Sequence, residues 1–501
     1  MSSPIRTDLE PLIFERSHYQ GGGGVPKSYL PDSDVPNRPV EALLPAGLLA
    51  EKPPMLPDVG ELDAVRHFTR LSQMNFSVDT NFYPLGSCTM KYNPKTCDQL
   101  SILPGFRWTH PYQPDETVQG ILEILHDTEQ SLCQISGMDA VSLHPAAGAH
   151  GELTALLVIK AYHASRGEKR TKVLIPDSAH GTNPASCTIA GEDTVQLVSN
   201  RDGQVDLDDL KSKLGPDVAC LMLTNPNTLG VFEKNILKVA EMLHEAGALL
   251  YMDGANLNAL LGKTRPGDFG VDVLHFNLHK TFAVPHGGGG PGAGPIGVKS
   301  HLEPFLPVPR VMKEGRKYRL VREDGRPRTI GQLRSFYGST GALIRAYIYI
   351  RSLGPQGLKD IAENAVLNAN YLLSRLKDAY DLGYQGHAMH EFVLSADRQK
   401  AKGVRALDIA KRLLELGYHA PTIYFPLIVH EAIMIEPTET ESKQTLDEFA
   451  EALLRIAKDV DEDPTRITAA PRNMPVTRLD EVGAARNPIL RWIPPAAGQA
   501  S

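Results

Sequence analysis

The sequence predicts an α/β protein, with a large, mainly parallel sheet followed by a smaller α+β domain. Three observations predict it. From about residue 119, short apolar runs at 140–143, 173–175, 195–198, 218–223, 248–252 and 273–276 alternate with stretches of helical period. That is the rhythm of strands and crossover helices in a sheet covered on both faces. After residue 338 the rhythm changes to long helices at 341–351 and 358–376, strand-like stretches at 390–394, 422–429 and 432–435, and a closing helix at 446–456. Finally, polar groups and glycines fall just after the predicted strands, at the carboxyl edge where open α/β sheets bind ligands.

The 501 residues carry 42% hydrophobic and 22% charged side chains, an ordinary globular composition that excludes disorder throughout. The first sixty residues are rich in Pro and Gly and show no sustained period, so they read as an extended arm, with Gly21 to Gly24 as a flexible link. The expected division is an arm over 1–60, a large domain over 61–350, a small domain over 351–475 and a tail over 476–501. A net charge of −7 without a Lys/Arg block argues against nucleic acid as a partner. Apolar stretches such as 248–252 fall far short of the ~20 residues that span a bilayer, so no membrane is expected. The first twenty residues mix Arg6 and Arg16 with Asp8, Glu10 and Glu15 and lack an apolar core, which predicts a cytoplasmic location. Five cysteines without a C-x-x-C pair support neither a disulfide framework nor a thiolate metal site, and no metal is expected.

Five segments at the predicted strand ends carry the chemistry. His144 to Glu152 leads into a helix expected to bury Leu153, Leu156, Leu157 and Ala161. Small residues there leave backbone amides open to an anion, although a tight packing turn would need the same residues. No G-x-G-x-x-G or P-loop motif occurs, which disfavours nucleotides. His180, beside Gly181, ends the second segment. The third, Thr224 to Gly230, offers amide and hydroxyl groups, or merely Asn-Pro turn chemistry. Asp253 ends the most apolar strand, where a carboxylate is costly unless a cation partners it. Lys280 follows between an apolar strand and the glycine-rich run 287–294, a setting that favours the neutral, nucleophilic amine. An anion loop, a flat histidine, an aspartate and an enclosed lysine together suit one ligand, pyridoxal 5'-phosphate (PLP). Its phosphate takes the amides, its ring the histidine, its ring nitrogen the aspartate and its aldehyde the lysine.

Asn81 to Pro94 (NFYPLGSCTMKYNP), the AGAHGE loop, Thr224 to Gly230, Asp253 to Asn256, Asn277 to Lys280 and the glycine-rich run together resemble glycine decarboxylase, the P protein of the glycine cleavage system, in subunit 2 of its two-subunit bacterial form. The resemblance runs over about 60–490 and implies a fold-type I PLP-dependent transferase in which Lys280 binds the cofactor as a Schiff base. It implies Asp253 on the pyridinium, His180 against the ring, Ala147, Gly148 and Ala149 on the phosphate, and Asn227 or Thr228 at the polar edge. Ala255 and His279 complete the expected cofactor contacts. It further implies glycine as substrate, a lipoylated H protein as acceptor, and a subunit 1 as partner, two of each. One departure is Gly338-Ser339-Thr340 where Gly-Asn is expected after Phe336-Tyr337. Cys88 is expected to be structural. The rival readings are another fold-type I enzyme, an aminotransferase or desulfurase, or a non-catalytic scaffold subunit.

Overall fold

The structure, a computed structural model, describes residues 9–16, 39, 42–49, 56, 57, 59–287, 292–322, 328–384 and 386–492. Most of the expected arm, the Gly21 to Gly24 link and part of the glycine-rich run therefore lie outside the described residues. The chain forms two compact units, Val78–Ala470 and a second that gathers Met1–Ser77 with Pro471–Ser501. In the second, a helix spans Glu61–Gln73, and Glu10 faces Arg16 at 2.6 Å and His67 at 3.2 Å.

Within Val78–Ala470 the large sheet contains β1 (Ala140–Ser142), β2 (Lys172–Pro176), β3 (Asp193–Leu197), β4 (Val218–Thr224), β5 (Leu249–Gly254), β6 (Val273–Phe276) and β7 (Ile296–Val298), in the order β1-β7-β6-β5-β4-β2-β3. Strands β3, β2, β4, β5 and β6 pair in parallel, and β7 runs antiparallel between β1 and β6. The six apolar runs all became strands. They missed β7, three residues around Gly297, which are too few to show a period.

The period-2 alternation of β4 explains why both faces are covered. Leu221 and Leu223 enter one core with Leu122, Leu125 and Leu132 of helix α1 (Gln119–Ser136), while Cys220 and Met222 enter another with α2 (Gly148–Ser165). Helix α2 departs from expectation in its buried face. Ala155, Leu156, Val158 and Ile159 pack on the sheet, while Leu153 and Leu157 are only half-buried. Apolar residues surround this helix almost completely, so its composition did not mark the inner face. Helices α3 (Thr182–Ala190) and α4 (Ile236–Glu245) follow β2 and precede β5. A charged hairpin, β8 (Arg310–Glu314) with β9 (Lys317–Val321), carries no apolar run and was not expected.

The two helices expected at 341–351 and 358–376 are both present as the two arms of α5 (Thr340–Leu376), on either side of a kink at Gly354, whose φ of 63° only glycine adopts freely, before Pro355. The expected boundary near residue 350 falls inside it. The smaller sheet is antiparallel throughout, with β10 (Asp381–Leu382), β11 (Phe392–Ser395), β12 (Thr422–Ile423) and β13 (Ala432–Ile435) in the order β10-β11-β13-β12. Strand β12 is shorter than the expected 422–429 because Tyr424, directly after Ile423, takes left-handed backbone with φ of 58° and breaks the extended run. Helices α6 (Ala406–Glu415) and α7 (Lys443–Glu462) cover this sheet, and α6 was not read from the sequence. Leu85 bridges to Ile435, which brings the 81–91 segment against the small sheet.

Candidate active site

Five strands, β1, β2, β4, β5 and β6, each deliver groups to the same carboxyl edge. After β1 the chain turns into α2 through Ala147, whose extended backbone (φ −155°, ψ 166°) starts the helix without a capping side chain. The first amides of α2 have no carbonyl four residues earlier to receive them, and they form the positive end of the helix dipole. Gly148 is required by proximity, because a Cβ there would stand 2.2 Å from Asn277 Oδ1. Gly294 is likewise pressed against the Ala147 carbonyl, at 2.0 Å from a built Cβ. The open helix end therefore abuts the segment that carries Lys280.

Beyond β2, His180 is exposed, with its ring edge-on to Phe425 at 5.7 Å and its Nδ1 2.9 Å from Thr182 Oγ1. Beyond β4, Asn227 spends its side chain on its own loop and on the neighbouring turn at Gly203. Nδ2 donates to the Gly203 carbonyl at 2.6 Å, and Oδ1 accepts from the Leu229 and Val231 amides at 3.0 and 3.1 Å. The Thr228 hydroxyl donates to the Ser178 carbonyl at 2.5 Å, which leaves its oxygen free to accept.

Asp253, in β5, is 3% exposed. Its Oδ1 accepts from the Ala255 amide at 2.9 Å and lies 3.4 Å from His275 Nε2, and its Oδ2 accepts from Asn183 Nδ2 at 3.3 Å. Burial pushes its carboxyl up, but His275, the Ala255 amide, Lys280 and Asn183 together hold it below the ordinary value. His275 is oriented in turn by Tyr251, whose hydroxyl lies 2.6 Å from Nδ1. On α2, Glu152 accepts from Thr182 and Ser186 at 2.8 and 3.0 Å, and burial followed by the Asp253 charge pushes it up to about 7.

Lys280 sits in a one-turn helix, Leu278–Thr281, directly after β6. Its Nζ donates to the Ser87 carbonyl at 2.8 Å, the contact that fixes the amine. Histidines surround it without competing for its charge. His275, His279, His286 and His390 all titrate below the ordinary value, first through burial, with Lys280 contributing, and His279 and His390 fall to about 3. His279 Nδ1 is buried without a hydrogen-bond partner. Cys88 is half-buried, with Sγ 3.5 Å from His286 Nε2, and burial raises its thiol against the opposing pull of Lys280, which makes it a poor nucleophile.

The structure thus brings together Ala147, Gly148, Asp253, Ala255, His180, His279 and Lys280. The sequence reading missed Ser87, Glu391 and Glu436, which enclose Lys280 from the small-sheet side. Their signal was present: a glutamate adjoins each of the apolar strands β11 and β13, at positions where burial demands a reason.

Residues 361–475 match the family described as glycine dehydrogenase, C-terminal domain, and residues 151–291 match aminotransferase class-V. Over 483 residues the chain is 58% identical to a probable glycine dehydrogenase (decarboxylating) subunit 2 of Caldanaerobacter subterraneus subsp. tengcongensis, covering 96% of this chain and 98% of that one. It is 59% identical to the protein of the same description from Chlorobium chlorochromatii, covering 95% and 98%. A crystal structure of glycine decarboxylase (P-protein) of the glycine cleavage system, in inhibitor-bound form, superposes with a TM-score of 0.71 at 20% identity over 83% of this chain and 94% of that one. A Lactobacillus brevis glutamate decarboxylase gives 0.63 at 14% identity over 83% and 96%. These structural likenesses bear out the fold class expected from the sequence, the fold-type I architecture, and the near-complete match in sequence to the curated relatives goes further: the chain belongs to the glycine dehydrogenase (decarboxylating) subunit 2 family.

Proposed function

We propose that this chain carries the catalytic centre of a glycine decarboxylase, which holds pyridoxal 5'-phosphate, releases the glycine carboxylate as CO2 and passes the aminomethyl group to the lipoyl arm of the H protein. The observation that carries this reading is a buried, ionised Asp253 and the amine of Lys280 at the ends of adjacent parallel strands, beside the open N-terminus of α2.

The residues fit the cofactor. Asp253 Oδ2 has a single donor at 3.3 Å, which leaves acceptor capacity for one further N–H. Lys280 would hold the aldehyde carbon, the α2 amides of Gly148 and Ala149 with Ala147 the phosphate, and His180 the ring face. Thr228 would accept at the polar edge while Asn227 shapes its turn, and Ala255 and His279 would close the cradle. When bound, the cofactor supplies a sink for the electron pair left by departing CO2. Asp253 keeps a proton at the ring nitrogen, and His275 and Asn183 keep Asp253 ionised and aimed. The histidines around Lys280 are held neutral by burial, and enclosure from water strengthens each of these interactions.

Membership in a subunit 2 family implies a subunit 1. The proposed assembly contains two of each chain and works in the cytoplasm; among the described residues no helix is long and apolar enough to cross a membrane. The test is exchange of labelled bicarbonate into the carboxyl of glycine by this chain, subunit 1 and lipoylated H protein, with each omitted in turn. Full exchange is expected only with all three. A full rate without subunit 1, or an equal rate with a bulkier amino acid, would sink the assignment.

A further inference from the structure

Glu391 and Glu436 face each other across the small sheet. The antiparallel register joins Phe392 to Ile435, so the next pair outward is Glu391 with Glu436, a like-charged arrangement that strands disfavour. Both are 0% exposed. The titratable groups acting on them are His390, Lys280, Glu439 and Cys88. His390 Nε2 stands 3.8 Å from Glu391 and 4.0 Å from Glu436, beyond hydrogen-bond reach, and burial keeps its ring neutral. Two carboxyls this close and this enclosed retain one proton between them.

Their partners decide which one carries it. Glu391 Oε2 accepts from the Ser87 amide at 2.6 Å and Oε1 from Asn256 Nδ2 at 3.3 Å, so both oxygens meet N–H donors. Asn256 cannot turn to offer its oxygen, because its Nδ2 also donates to the Pro226 carbonyl at 2.9 Å. Glu436 Oε2 accepts from the Thr89 amide at 2.9 Å, but Oε1 meets the Thr89 hydroxyl at 2.5 Å, a group that accepts as readily as it donates. Burial and Glu436 push the Glu391 carboxyl well up, and burial pushes that of Glu436 to about 7. The donors nevertheless place the shared proton on Glu436.

The clamped segment is short and unusual. Ser87 and Thr89 both hold left-handed backbone, with φ of 63° and 34°, which non-glycine residues adopt only when the surroundings impose it. Between these two clamped amides, the Ser87 carbonyl receives the Lys280 amine. We propose that Glu391 is a positioning residue for Lys280: ionised, it holds the Ser87 N–H and so fixes the residue whose carbonyl receives the amine, while Glu436, carrying the shared proton, fixes Thr89. The role rests on Lys280 being the reactive amine, yet the test reads that amine directly and needs neither glycine nor cofactor.

The experiment is trace acetylation of the cofactor-free full chain with acetic anhydride at about pH 6, with the Lys280 rate read by peptide mass mapping against exposed lysines as internal standards. Removing a neighbouring negative charge lowers an amine's pKa by about one unit, so Glu391→Gln is expected to speed Lys280 acetylation about tenfold. Glu436→Gln replaces one neutral group by another and is expected to change the rate less than twofold. Glu391→Asp, which keeps the charge, should return the rate to within about twofold of the unsubstituted chain. Equal effects of the two glutamine variants, or a larger effect of Glu436→Gln, overturn the proposal. Should Glu391→Gln not fold, amide hydrogen exchange of the 86–90 segment in Glu391→Asp decides. Its shorter reach is expected to speed exchange at least tenfold, and unchanged exchange overturns the positioning role.

Discussion

Asp253 and Glu436 are both buried carboxyls beside the same lysine, one on the large sheet and one on the small, yet they titrate in opposite directions. Asp253 is held low because a histidine, a backbone amide and an asparagine all face it. Glu436 is pushed up to about 7 because burial outweighs its hydrogen bonds to Thr89 and the pull of Lys280. Burial alone therefore does not set the charge of an interior carboxyl; the neighbours do. The result is a permanent negative charge on one side of Lys280 and a proton store on the other.

The strongest way to break this comparison is to remove its common neighbour. Lys280→Ala is expected to abolish glycine-dependent exchange while circular dichroism and melting temperature stay close to those of the unsubstituted chain. Borohydride reduction followed by mass mapping should then find no cofactor on any other lysine. Asp253→Asn tests the permanent charge, and it should still bind cofactor but lose about 10²-fold or more in kcat, the usual cost of one electrostatic contact to the reacting centre. Near-normal turnover would show that Asp253 is not the group that holds the ring nitrogen charged.

The backbone of Glu391, the carboxyl beside Glu436, can be strained from behind. At Gly230, with φ of 75°, a Cβ would stand 1.9 Å from the Glu391 carbonyl oxygen. Gly230→Ala is expected to cost about 2–4 kcal/mol, measured by urea unfolding, because backbone rather than a flexible side chain must yield. The smallest effect sharpens the difference in titration. The Asp253 contribution is present above its ordinary value of 3.8 and is lost as pH falls through its lowered folded value. That of Glu436 runs the other way: it is fully present below its ordinary 4.5 and is lost as pH rises to about 7. Glu436→Gln should therefore flatten the fall in stability across that window by up to about 3 kcal/mol, read as the difference in unfolding free energy from the unsubstituted chain.

The large-sheet half of the site was legible because strand ends and chemistry coincide there. Asp253 terminates an apolar run, Lys280 follows another, and the small residues of 146–149 sit where a helix must start. The small-sheet half was legible only as a glutamate beside each of two apolar strands, since its logic is register rather than motif. Nothing local in the sequence says that residue 391 lies opposite residue 436, or that both reach back some three hundred positions to clamp Ser87 and Thr89. The segment 81–94 was prominent in the sequence, but its task of offering a carbonyl to Lys280 depends on backbone angles that no residue type announces. The hairpin at 310–321 escaped for a third reason, because its apolar face, Val311, Tyr318 and Leu320, is interleaved with charges and forms no run.

Helix α5 settles how freely the two halves can move. Its interruption at Gly354 lies between Ile350 and Leu358, which both belong to the large-sheet core. The passage to the small-sheet core comes later, between Ala362 and Ala369, where the helix is unbroken. The shared element is thus an axle and not a joint, for swinging one sheet against the other would tear hydrogen bonds out of continuous helical turns. The spacing that Ser87 bridges between Glu391 and Lys280 is therefore framed by continuous helix and not by a hinge.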